Sequence, residues 1–134
     1  MGKMVQKELI DPLRCIKGSR RMLVPPTPGF DSGVHDVGKN CCVVIATDPC
    51  INVPIEHFGW LLLHYSASDV SVFGASPQFC AIDLLGPPGT SKLLKRIMKQ
   101  VCAAADELRT LIITGHTGEY EGLGTIAGVS TVYG

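Results

Sequence analysis

Hydrophobic residues divide most of the chain into alternating strand-like and helix-like stretches. Residues 41–47 are β-branched or apolar at successive positions, which is typical of a strand covered on both faces. Residues 56–73 and 90–108 carry apolar side chains near a 3.6-residue period, which predicts two helices. Further apolar runs of strand length cover residues 78–85, 110–114 and 125–133. This order predicts an α+β fold with one mostly antiparallel four-stranded sheet and two main helices on one face.

Turn signals and capping residues set the expected limits of these elements. The proline-rich residues 25–29 predict an extended approach to Asp31, and residues 36–40 predict a turn, with His35 and Asp36 at the surface. The helix over residues 56–73 is expected to begin with Glu56 in an acidic first turn and to end at Gly74.

The N-terminal residues are poorly patterned and indicate a short helix followed by a loose basic segment. We therefore expect a partly flexible segment over residues 1–21 and one domain over residues 22–134. A chain of 134 residues with 46% hydrophobic content can bury one core but is short for two domains.

Charge and hydropathy exclude several functional classes. Twelve basic residues balance twelve acidic ones, so no overall field is available to hold a nucleic acid or an anionic membrane. The apolar runs are far shorter than the roughly 20 residues of a membrane span, and the N-terminus lacks a signal-peptide core. We expect a soluble, cytoplasmic protein that binds neither nucleic acid nor membrane.

The six cysteines do not predict a zinc site, because none forms a C-x-x-C pair or a Cys/His ligand spacing. Most of them are expected to be small core residues. No G-x-S-x-G element supports a serine hydrolase, and no cysteine has a recognisable activating context.

Three aspartates stand beside apolar or turn segments rather than on a solvated face. Asp31 lies between Gly29 and Gly33, Asp48 is expected at the carboxyl end of a buried strand, and Asp69 lies on or beside the apolar stripe of a helix. Each has an ordinary alternative as a turn residue or a helix residue bonded to nearby backbone. If two such carboxylates lie about 5 Å apart at an effective dielectric of about 20, they repel each other by roughly 3 kcal/mol. A Mg²⁺ ion bound together with nucleotide phosphates would relieve this repulsion.

A fourth element, Gly115-His116-Thr117-Gly118, is expected to follow a buried strand. Two glycines around a polar pair allow backbone N–H groups to approach an anion closely. The element matches neither G-x-x-x-x-G-K-[ST] nor G-x-G-x-x-G, so alone it is a weak indication of phosphate binding.

Taken in order, these segments resemble the N-terminal domain of the AIR synthase-related superfamily. Gly29-Phe30-Asp31-Ser32-Gly33-Val34 resembles its G-D-D-x-A-[VL] element, and Thr47-Asp48 its T-D element. Residues 68–77 resemble the [NS]-D-[LIV]-x-x-x-G-A-x-P element, and residues 114–119 resemble G-G-[EDH]-T with its following acidic residue. The likeness extends over about residues 22–134.

The resemblance implies a domain that binds ATP with Mg²⁺ and forms a homodimer through the face or edge of its sheet. A second, C-terminal domain, outside this chain, would complete the site. Phosphoryl transfer from ATP would then activate a carbonyl, amide or phosphate oxygen of a small-molecule or protein-carboxamide substrate. Asp31, Asp48 and Asp69 would be metal ligands, and the nucleotide contacts would be those three aspartates with Thr47, Gly115, His116 and Thr117.

Two departures bear on the branch of the superfamily. His116 indicates a branch like the hydrogenase-maturation protein HypE or a kinase-like branch rather than AIR synthase, whose element has glutamate. Phe30 replaces the first aspartate of G-D-D and removes one metal ligand. The alternatives are a non-catalytic dimeric assembly module of the same fold and a thiamine-monophosphate kinase-like domain, although the latter would require a complete G-D-D element.

Overall fold

The computed structural model describes residues 4–134, which form three helices and six strands. In chain order these are α1 (Gln6–Leu13), β1 (Met22–Val24), β2 (Ser32–Gly38), β3 (Cys41–Ile51), α2 (Phe58–Val72), β4 (Phe79–Gly86), α3 (Ser91–Leu108), β5 (Leu111–Glu119) and β6 (Ala127–Tyr133). The short N-terminal helix expected from the sequence is present as α1. No helix in residues 4–134 is both long and apolar enough to cross a membrane.

All six strands belong to one mixed sheet with the order β1-β2-β3-β6-β4-β5. Neighbouring strands are antiparallel except β4 and β5, which are parallel because α3 connects them as a crossover. The α+β class is confirmed, but the prediction of a mostly antiparallel four-stranded sheet is incomplete. It omitted β1 and β2, and it did not include a parallel pair.

Helices α2 and α3 cover one face of the sheet, as predicted. Helix α2 packs on β3 and β6, and α3 packs on β4 and β5. Burial therefore alternates along β6, where Gly128, Ser130 and Val132 are buried beneath the helices. The other face, which we call the open face, exposes Ile51 and Val129. Strand β3 alternates in the same way, so the expectation that both its faces are covered was wrong.

Strand β3 does not end at Asp48, as the sequence had suggested, but continues through Pro49 to Ile51. Proline is tolerated there because β2 pairs with β3 only as far as Ala46, whereas β6 pairs with β3 to its end. The missing N–H of Pro49 therefore removes no bond to a second neighbouring strand. Asp48 is thus a residue within a strand.

Three other boundaries differ from prediction. His35 and Asp36 lie in β2 rather than in a surface turn. Helix α2 begins at Phe58, so Glu56 precedes it and its first turn contains no acidic residue. Strand β5 continues to Glu119, so residues 115–118 are in a strand and not in a loop after it. The parallel pairing of β5 with β4 extends through this element.

The cysteines are mostly exposed, contrary to prediction. Only Cys50 and Cys80 are buried, whereas Cys15, Cys41, Cys42 and Cys102 are exposed. Burial raises the pKa of the Cys50 and Cys80 thiols from 9.0 to about 11. Both therefore stay protonated at neutral pH and act as small apolar core residues.

Candidate functional site

Asp31 and Asp69 line the same pocket, although they are 38 positions apart in the sequence. The pocket has a volume of about 340 Å³ and is also lined by Gly29, Phe30, Val72 and Phe73. It lies where the last turn of α2 meets the turn that leads into β2. The rings of Phe30 and Phe73 join these two segments by an edge-to-face contact, with centroids 6.0 Å apart. We call this the Asp31–Asp69 pocket.

Asp48 lies on β3, on the helix-covered side of the sheet together with Ala46 and Cys50. Its Oδ2 atom is buried and has no hydrogen-bond partner among the described residues, and the same holds for the Ser32 hydroxyl. Ser32 pairs with Ala46 across β2 and β3, so Ser32 and Asp48 are diagonal neighbours on one face. Two unsatisfied buried oxygen-bearing groups in one small region require a physical explanation.

The hydroxyls of Ser130 on β6 and of Ser66, which bonds to it from α2, do not satisfy Asp48. Ser130 lies directly opposite Asp48, and its Oγ donates to the Leu62 carbonyl at 2.6 Å. The Ser66 hydroxyl donates its proton to the Ser130 carbonyl oxygen at 2.8 Å and lies 2.7 Å from Ser130 Oγ. Each hydroxyl has a single proton, so neither has one left for Asp48.

The carboxylates do not form a ready-made metal centre. Within residues 4–134, no group of three or more His, Cys, Asp or Glu side chains is placed to hold a metal ion. Mg²⁺ is usually bound by one or two carboxylates with substrate phosphates and water, so such a cluster is not required. The oxygen donors at the Asp31–Asp69 pocket and at Asp48 suit that hard cation, provided that a ligand supplies further oxygens.

The other predicted site residues lie outside the Asp31–Asp69 pocket. Thr47 faces the open side of the sheet, where its hydroxyl lies 3.0 Å from that of Thr131, and it lines a second pocket with Asp31 and Phe30. Strand pairing places Asp48, Ser130, Ile82 and Gly115 in one row across the sheet. Three strand spacings, or about 14 Å, therefore separate Asp48 from Gly115 within one chain.

The glycine at position 115 is required for a structural reason that the sequence pattern does not reveal. A Cβ atom at Gly115 would overlap the backbone oxygen of Ile82 on β4. The absence of a side chain is thus required by strand packing and does not by itself indicate anion binding.

His116 is hydrogen-bonded through Nε2 to the Tyr120 hydroxyl, and Thr117 lines a separate depression with Ser91 and Lys95.

Ser32 is the residue of this region that sequence reasoning overlooked. Its signal is the two-residue alternation with Val34, which directs both side chains toward the helices once β2 is recognised as a strand. The contact of Phe30 with Phe73 was also missed, because it joins residues far apart in sequence.

Comparisons with known proteins agree with this architecture. The sequence profile of the family described as "AIR synthase related protein, N-terminal domain" matches residues 29–134. No curated protein gives a significant sequence match.

Solved structures share the fold at low identity. The structure of AaThiL complexed with AMPPCP and TMP has 20% identity and a TM-score of 0.75, over 98% of this chain and 44% of that one. Hydrogenase maturation protein HypE in complex with ATP has 23% identity and a TM-score of 0.64, over 75% and 32%. Protein tt0281 from Thermus thermophilus has 17% identity and a TM-score of 0.78, over 96% and 43%.

This chain spans less than half the length of each of these three proteins. At such identities the structural likeness establishes the fold alone, whereas the profile covers most of the chain. The predicted family is therefore confirmed: the chain belongs to the AIR synthase related family and contains its N-terminal domain.

Proposed function

We propose that this chain is the ATP- and Mg²⁺-binding N-terminal domain of a HypE-like enzyme, which activates a carbonyl, amide or phosphate oxygen by phosphoryl transfer. The observation that carries the proposal is the convergence of Asp31 and Asp69 on one pocket, with Asp48, whose Oδ2 atom is buried and unsatisfied, on strand β3 beside β2. The nucleotides in the AaThiL and HypE complexes support it by likeness of fold.

In this proposal Asp31, Asp48 and Asp69 hold the cation, which when bound would neutralise charge on the phosphates. The acidic side chains alone would repel a triphosphate, so nucleotide and metal are expected to bind together. Gly115, His116 and Thr117 lie too far away to share one metal centre with Asp48, and Thr47 faces the opposite side of β3 from Asp48. Their proposed role is contact with another part of the nucleotide or with a nucleotide held by a second protomer.

We also propose that the open face of the sheet forms the homodimer contact. Ile45, Ile51 and Val129 expose 37%, 49% and 37% of their surface on this face, which the helices leave uncovered. Burying such side chains between two sheets would be favourable. Sedimentation equilibrium that shows only monomer, even at high protein concentration, would contradict this proposal.

A non-catalytic assembly module is the second candidate, and Phe30 is the observation that favours it. Its ring packs against Phe73 at the position where the family element has its first aspartate. The same residue weighs against a thiamine-monophosphate kinase-like activity. In the catalytic proposal, the acceptor substrate, whether a small molecule or a protein carboxamide, would be bound largely by a further C-terminal domain.

The proposed function predicts that Mg·ATP stabilises the protein. At about one hundred times Kd the gain is about 2.7 kcal/mol, which corresponds to a rise in Tm on the order of 10 °C for a chain of this size. Neither Mg²⁺ nor ATP alone should match this shift in a thermal melt. Asp31→Asn should reduce it by more than half, because it removes a carboxylate from the pocket.

Asp106→Asn provides the control, since Asp106 is an exposed carboxylate on α3. An equal shift in Asp31→Asn, Asp106→Asn and wild type would show that Asp31 does not contact the metal nucleotide. No shift in wild type at millimolar Mg·ATP would instead favour the assembly module.

A further inference from the structure

We propose that Ser32 is an additional oxygen ligand of the cation site, acting with Asp48, and that it compensates for Phe30. This inference rests on the proposed function, because it concerns the same metal nucleotide. Serine and threonine hydroxyls are suitable ligands for Mg²⁺ in phosphoryl-transfer sites. The sequence motifs alone do not indicate Ser32 as a ligand.

The first support is the burial of the Ser32 side chain. Ser32 is only 5% exposed, and its Oγ has no partner among the described residues. A buried hydroxyl is normally bonded, since it loses its bonds to water on folding. The neighbouring Ala46, which is its partner across the strands, offers no polar side chain.

The second support is the position of Asp48, whose unsatisfied Oδ2 lies on the same face of the sheet as Ser32. Diagonal neighbours on adjacent antiparallel strands are about 7 Å apart at Cβ, and Ser32 and Asp48 are not hydrogen-bonded to each other. This separation suits a group between them that interacts with both oxygens. A hydrated or directly bound cation meets that requirement, whereas a neutral water would leave the carboxylate charge uncompensated.

The third support is the change at Phe30. The aromatic ring is directed to Phe73 and contributes no oxygen where the family element carries a carboxylate. Ser32 lies two residues further along the same segment, and its hydroxyl supplies an oxygen atom to this region. The ligand set would then consist of carboxylates and one hydroxyl, which lowers its negative charge by one.

The test compares Ser32→Ala with Thr110→Val, which removes another buried hydroxyl, just before β5 and therefore across the sheet from β2. Thr110 Oγ1 donates to the Pro77 carbonyl at 3.1 Å, so its loss should lower the Tm without ligand and leave the Kd for Mg·ATP unchanged. Ser32→Ala should do the reverse. Its Tm without ligand should equal or exceed that of wild type, and its Kd for Mg·ATP should rise about tenfold, or about 1.4 kcal/mol.

Ser32→Cys supplies a readout that a purely structural serine would not change. A thiol is a poor ligand for Mg²⁺ and a good one for Zn²⁺, so the variant should bind Mg·ATP more weakly and Zn·ATP more tightly than wild type. Unchanged nucleotide affinity in both Ser32 variants, with wild type binding normally, would overturn this inference alone. Absence of binding by wild type would overturn the proposed function together with it.

Discussion

Asp48→Asn is expected to raise the Tm of the ligand-free protein while weakening Mg·ATP binding on the order of 100-fold. A buried carboxylate oxygen without a hydrogen bond destabilises the fold, and the neutral amide reduces that desolvation cost. The same change removes a charged ligand of the cation, for which a loss of about 2.7 kcal/mol is reasonable. Thermal melts measure the first effect, and isothermal titration with Mg·ATP measures the second.

Asp36→Asn is the matched control for Asp48. Its Oδ1 accepts a hydrogen bond from the Gly38 N–H at 2.7 Å, so this carboxylate has a clear local role away from the pocket. The control should lower the Tm slightly and leave the Kd unchanged. If Asp48→Asn instead destabilises the ligand-free protein and keeps wild-type affinity, Asp48 is a structural residue and not a ligand.

Gly115→Ala is expected to destabilise the protein by about 3 kcal/mol, near the upper end of overpacking effects. The added Cβ would overlap the Ile82 oxygen and would lie 2.9 Å from the Ile82 carbonyl carbon. These are backbone atoms, so no side-chain rotation can relieve the contact, and β5 must move away from β4. Urea denaturation followed by circular dichroism measures the loss.

Gly122→Ala is the control for Gly115, because an added Cβ at Gly122 meets nothing within 4 Å. Its stability should stay within about 0.5 kcal/mol of wild type. A Gly115→Ala protein with wild-type stability but lost nucleotide binding would restore the original interpretation of Gly115 as a residue of close phosphate approach.

The sequence predicted those elements whose hydrophobic period is unambiguous. Helices α2 and α3 and strands β4 and β6 were located to within a few residues, because their apolar positions face one core. Strand β2 was missed because its exposed positions include His35, and its polar Asp36 resembles a turn residue. The parallel pairing of β4 and β5 depends on where the chain returns after α3, which no local pattern encodes.

The candidate site was predictable only where local motifs determine position. The motifs around Asp31 and Asp69 indicated residues that do share a pocket. Pro49 suggested a strand end after Asp48, which concealed that Thr47 and Asp48 face opposite sides of a continuing strand. The distance of Gly115 from Asp48 follows from the strand order of the whole sheet, so the sequence offered no signal for it.

The central claim, that this region holds a metal nucleotide, is tested most directly by paramagnetic relaxation with Mn²⁺ in place of Mg²⁺. In amide NMR spectra recorded with ATP, substoichiometric Mn²⁺ should broaden first the signals of Asp31, Ser32, Asp48 and Asp69. The signals of Asp106 and Glu107 at the end of α3 should stay sharp. Uniform broadening, or selective broadening only at residues away from the Asp31–Asp69 pocket, would contradict the claim.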